Sequence, residues 1–156
     1  MRSRNAKWFE CTCQYGKTMD DGLVKKVKET NVVDALSFTE AEARFIEEMT
    51  PYISGEFDVT AIKIAPYGEV FFNDEDESAD RWYKVRLDFI TVNEKTEKEK
   101  RDKVTYLFQA GSFEQAKKSV VDVMSATLVD YEIVKIEETK LFDVFEYGKK
   151  ESKSEE

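Results

Sequence analysis

Two stretches of this 156-residue chain spell one helix twice: SFTEAEARFIEEM from Ser37 and, 75 positions on, SFEQAKKSVVDVM from Ser112. Phe38, Ala41, Phe45, Ile46 and Met49 in the first, and Phe113, Ala116, Val120, Val121 and Met124 in the second, share one spacing. It is the stripe of a helix with one buried face. Each stretch opens on a serine three residues before Glu40 or Gln115, the capping-box pattern in which side chains satisfy the free N–H groups of a first turn. A chain written this way is constrained to build one unit and then to build it again.

The echo extends to strands. WFECTCQY at 8–15 lies over WYKVRLDF at 82–89, and both alternate. One face carries Phe9, Cys11, Cys13 and Tyr15, matched by Tyr83, Val85, Leu87 and Phe89. The opposite face carries Trp8, Glu10, Thr12 and Gln14, matched by Trp82, Lys84, Arg86 and Asp88. After each helix, FDVTAIKI from Phe57 matches YEIVKIEE from Tyr131, and both break their alternation at one place, which predicts a shared β-bulge. A further strand fits at 24–34 and at 103–110, reached through the turn DDG at 20–22 and the charged connection NEKTEKEKRD at 93–102.

The unit is therefore ββαβ, written twice. Each half alone is too small to bury both its sheet face and its helix stripe. The expected fold class is α+β: a tandem ββαβ repeat with an approximate internal two-fold, an antiparallel-rich sheet and two helices packed on one face. A ferredoxin-like drawing fits. The expected organisation is a single compact domain over 1–147, made of repeats at about 8–72 and 82–147, followed by a disordered charged tail at 148–156.

Composition narrows the function. With 24 basic and 33 acidic residues the net charge is −9, which repels a phosphate backbone and disfavours nucleic acid as a partner. The chain has no histidine, which removes the commonest general base, the commonest zinc ligand and every Ser-His or Cys-His nucleophile. No run approaches the roughly 18 apolar residues of a membrane helix. A cytoplasmic protein with no membrane association and no cofactor is expected.

Several features invite chemistry and have a plainer reading beside it. Cys11 and Cys13 place two sulfurs on one strand face, but their counterparts are Val85 and Leu87, so they read as core. NDEDESAD at 73–80 is the densest carboxylate run; counted from Asp74, the positions where a calcium loop needs Gly and Glu hold Ala79 and Val85, so it reads as a solvated linker. Trp8 and Trp82 stand on the face opposite the core positions, either packed or waiting for a partner. With Lys84 and Arg86 they could form a stacking-and-phosphate surface. Tyr67, in the turn-prone APYG at 65–68, reads as exposed.

KWFECTCQY, VVDALSFTEAEARFIEEMTPYISGEF and DYEIVKIEET together resemble a family of small uncharacterised proteins, a domain of unknown function, from Bacteroides-type gut bacteria and their phages. The resemblance covers about 8–145 and implies a bacterial or phage, cytoplasmic origin with no catalytic residues to carry over. The leading expectation is a non-enzymatic binding or adaptor protein that meets a protein partner or a second copy of itself. The alternatives are a single-stranded nucleic-acid binder using Trp8, Trp82, Lys84 and Arg86, and a metal-dependent enzyme using carboxylates.

Overall fold

The computed structural model describes residues 1–147. In chain order the elements are β1 (Arg2–Arg4), β2 (Trp8–Thr18), β3 (Val24–Asp34), α1 (Phe38–Met49), β4 (Phe57–Ile64) and β5 (Glu69–Phe72). There follow β6 (Arg81–Val92), β7 (Glu99–Ala110), α2 (Phe113–Ser125), β8 (Asp130–Glu138) and β9 (Leu141–Phe145). The order ββαβ occurs at β2–β4 and again at β6–β8, an arrangement compatible with the sequence repeat.

Local chemistry sets each element. Gly22, at φ 82°, closes the turn between β2 and β3, a backbone conformation that costs a glycine nothing. The β6–β7 hairpin is longer than expected: Glu99 pairs with Val92, so β7 starts four residues before 103 and the charged turn shrinks to 93–98. Ser37 Oγ accepts from the Glu40 N–H and Ser112 Oγ from the Gln115 N–H, each at 3.1 Å. On the helices the buried residues are Ala41, Phe45 and Met49, and Ala116, Val120 and Met124. The expected bulge is present in both copies: the pairing of β2 with β4 slips between Thr12 and Cys13, and that of β6 with β8 between Arg86 and Leu87.

The chain divides into two compact units, where one body was expected from the sequence. One unit is Ala6–Ala65 with the chain from Leu141 on; its sheet has the order β4-β2-β3-β9. The other is Met1–Asn5 with Pro66–Lys140, and its sheet runs β1-β5-β7-β6-β8. The class is α+β, with antiparallel-rich mixed sheets, but there are two sheets and each packs its own helix.

The repeat boundaries move accordingly. β5 leaves the first repeat to pair parallel with β7, Phe71 beside Phe108. β9 leaves the second repeat to pair parallel with β3, Phe145 beside Val33. Each repeat thus ends in a strand that completes the other repeat's sheet, and 66–72 and 141–147 exchange places relative to the expected division. The residues that follow these strands are held alike. The Tyr147 N–H donates to Asp34 Oδ1 (2.8 Å) and the Asn73 N–H to Gln109 Oε1 (2.9 Å), the same position in each copy. The charged tail at 148–156 lies outside the described residues.

Each unit has a core on the helix side of its sheet. Phe9, Cys11, Cys13, Val33, Phe45 and Met49 form one; Phe71, Val85, Leu87, Phe108, Val120 and Met124 form the other. Full burial of side chains of this size contributes about 1.5–3 kcal/mol each. Asp34, at the end of β3 opposite Trp8, is buried and is met by Arg44, which donates to its carboxylate at 3.0 Å and to its backbone carbonyl, while the guanidinium lies 3.8 Å from the Tyr147 ring centroid.

Two outcomes follow. Asp34→Ala leaves Arg44 with only the more exposed Glu40, at 3.6 Å, and the Tyr147 N–H without its Asp34 acceptor, so chemical denaturation should show a loss of about 3 kcal/mol. A loss under 1 kcal/mol would refute that role. Burial first, then the nearby Glu10 and Glu42 charges, push the Cys11 thiol from 9.0 up to about 12. The folded state keeps its proton where the unfolded chain loses it, so this contribution is complete below pH 9 and disappears as pH rises toward 12. At pH 8 a disulfide exchange reagent should label neither cysteine of the native protein and both in guanidinium; rapid native labelling would contradict their burial.

Candidate functional site

Helix α1 stops at Met49, and Pro51 continues the chain in a 3-10 turn over Thr50–Tyr52. The Thr50 hydroxyl donates to the Ile46 carbonyl at 2.6 Å and Ile53 is buried, so the turn is fixed on both sides of Tyr52. Gly55, at φ 91°, then redirects the chain into β4. Tyr52 is left projecting, 61% exposed.

The exchanged strand β9 supplies the second ring. Its pairing with β3 slips between Thr30 and Val32, and Phe142 sits within that irregularity, 48% exposed. The rings of Tyr52 and Phe142 meet edge to face, with centroids 6.0 Å apart and planes at 72°. Tyr52 also stacks on Phe145, at 6.4 Å. The pair borders a cleft of about 420 Å³ lined further by Tyr15, Lys17, Glu29 and Ser54.

The polar side of the cleft is pre-set. Tyr15 Oη donates to Glu29 Oε1 at 2.7 Å. That bond to a carboxylate, then partial burial, push the Tyr15 phenol from 10.0 up to about 12. The hydroxyl stays protonated at neutral pH and fixes the carboxylate. Apolar rings beside a fixed carboxylate, with the Lys17 ammonium at the rim, can hold an apolar or aromatic side chain within a polar border.

The other unit has no such cleft residues. Where the first repeat has Tyr52 the second has Thr127; where it has Glu29 the second has Val104; and Phe142 corresponds to Gly68–Glu69 in the preceding exchanged strand. The difference was open to sequence reading, because Tyr52 and Thr127 stand at equivalent distances beyond the two helix caps.

The residues singled out from the sequence fall elsewhere. Trp8 and Trp82 are buried, so neither indole offers a free stacking face. The Trp82 ring meets Phe72 at 5.6 Å and its carbonyl accepts from the Thr139 N–H and hydroxyl. The Trp8 carbonyl accepts from the Ala65 N–H. Tyr67 is buried too, a correction of its expected exposure: Gly68 donates its N–H to the Thr105 carbonyl at 2.9 Å and draws the turn against β7. Lys84 and Arg86 are half-buried on β6, side by side with Trp82 in sequence but without an exposed ring.

The carboxylate run at 73–80 is an organised loop. Asp76 accepts from the Ser78 N–H (2.9 Å), the Ser78 hydroxyl (2.6 Å) and Gln115 Nε2 (2.6 Å), and these bonds hold its carboxyl below the usual range. Asp74 pairs with Arg2 of β1. Among the described residues no group of three or more His, Cys, Asp or Glu gathers as a metal-binding cluster. Among them, too, no helix is long and apolar enough to cross a membrane.

No curated protein and no solved structure matches the chain. A family match does cover residues 7–147, from the residue before β2 to Tyr147, which Asp34 clasps. The chain belongs to the family described as Domain of unknown function (DUF4494).

Proposed function

We propose that this protein is a non-enzymatic binding or adaptor protein, of bacterial or phage origin and cytoplasmic, that acts through protein–protein contacts at the cleft of Tyr52 and Phe142. The observation that carries the proposal is the exposed pair of rings, 61% and 48% accessible, in the unit of Ala6–Ala65 only. Exposed aromatics around a pre-formed hollow are the usual anchors of protein interfaces, where a partner side chain is desolvated at the centre and charges stay at the rim. A net charge of −9 selects a partner with a basic surface and speeds its encounter. The partner chemistry is therefore an apolar or aromatic anchor bordered by Lys or Arg.

The nucleic-acid alternative loses its support from Trp8 and Trp82, since stacking needs an open ring face and both rings are buried.

The test uses the full chain as bait in extract of the cell that encodes it, beside the double variant Tyr52→Ala/Phe142→Ala. Both residues are exposed, so circular dichroism should show the variant folded. Basic proteins retained by the wild type should bind the variant at least about tenfold more weakly, a loss of about 1.4 kcal/mol or more. Equal retention by the two would refute the cleft as the binding site.

A further inference from the structure

Strand β4 is an edge of its sheet, with β2 on one side and, among the described residues, no strand on the other. Its sequence, FDVTAIKI, has a symmetry that its neighbours in the fold do not need. Phe57, Val59 and Ile62 pack on the helix side, and Ile64 shares that side because it pairs with Phe9. Asp58 and Lys63 pair with Gln14 and Glu10, on the opposite side. The bulge at Thr60 falls at the midpoint, so both halves keep their phase about it.

We propose that β4 is a self-association edge, to which a second copy of this chain adds its own β4 in antiparallel register. Phe57 then faces the partner's Ile64, Asp58 the partner's Lys63 and Val59 the partner's Ile62, with Thr60 opposite the partner's Ala61. Apolar residues meet on the helix side and opposite charges meet on the other, the two forms of cross-strand pair that stabilise a sheet. The contact repeats itself under a two-fold, so it closes at two copies and joins two four-stranded sheets into one.

The surroundings of β4 fit such an occupant. Ile64 is 58% exposed and Phe38 50%, apolar surface that the partner strand covers. A groove of about 310 Å³ runs between α1 and β4, lined by Phe38, Glu42, Val59 and Ile62 among others. Neither Asp58 nor Lys63 makes an ion pair with a described residue.

The equivalent edge of the other unit supplies the contrast. In β8 the same pairing sets Glu132 against the partner's Glu137, like charge on like. Those carboxylates are engaged within the chain, Glu132 by Arg101 (2.5 Å) and Glu137 by Lys135 (2.9 Å), while Arg81 meets Glu138 at 3.2 Å. An edge covered with ion pairs resists strand addition. β8 is guarded and β4 is not. The cleft of Tyr52 and Phe142 lies by β9, at the opposite edge of the same sheet, so this proposal stands apart from that reading.

Sedimentation velocity at physiological salt, with protein concentration varied over a hundredfold, tests it. The wild type should pass from monomer to dimer. Asp58→Lys and Lys63→Asp, made singly, set like charges opposite one another and should shift the midpoint at least about tenfold upward. The combined exchange Asp58→Lys/Lys63→Asp should restore the dimer. Hydrogen exchange on the wild type is the second measurement, and the amides of 57–64 should gain protection as concentration rises. A monomer throughout, a dimer indifferent to the single reversals, a combined exchange that stays monomeric while folded, or unchanged protection in 57–64 would each overturn the proposal.

Discussion

Two hydrogen bonds, from the Tyr147 N–H to Asp34 and from the Asn73 N–H to Gln109, close the arrangement on which the two sheets depend. A ββαβ unit leaves one side of its second strand open, and the N–H and C=O groups there need partners if that strand is to be buried. Val33 and Phe108 are buried, and the strands that pair beside them arrive parallel from the end of the opposite repeat. A parallel neighbour cannot come from a hairpin; it requires a long connection, and here the chain runs through 73–98 between β5 and β7 and through 35–140 between β3 and β9. Neither sheet is complete until the chain of the other half has been made. Pairing Val33 with Phe145 also closes a very long loop, an entropic cost that the contacts of β9 must offset.

Much of this was legible because short-range chemistry wrote it. The two caps, the turn at Gly22 and the paired bulges appear where the sequence places them; of each expected helix stripe three residues are buried, while Phe38, Ile46, Phe113 and Val121 stay exposed at its margins. Cys11 and Cys13 are core, as Val85 and Leu87 implied. The exchange was not legible. β5 is only EVFF and β9 only LFDVF, too short for alternation to separate a strand from an apolar turn, and nothing local says which sheet a short run joins.

The same limit explains the tryptophans and the cleft. Alternation told which side of β2 and β6 carries Trp8 and Trp82, but a side is not an exposure, and both are buried. Tyr67 misled for a related reason: turn-forming residues predict a bend, while the bond from Gly68 to Thr105 decides whether the bend is pressed against the sheet. Tyr52 and Phe142 are 90 residues apart and meet only because β9 crosses to the first unit. A cleft made by strand exchange has no sequence motif of its own.

This origin couples the cleft to the fold that carries it. Phe142 reaches Tyr52 only while β9 is paired with β3, and β9 is held at its far end by Asp34, Arg44 and Tyr147. Under the proposed binding mode, a partner side chain seated between the rings contacts the docked strand and not the detached one, so by mass action it stabilises the docked state. The second unit has the Gln109 clasp but neither ring; its exchanged strand lies between β1 and β7 and gives Phe71 to the core. The corresponding strands thus serve structure in both units, and the rings that carry the proposed recognition stand where the other unit has Thr127 and Gly68–Glu69.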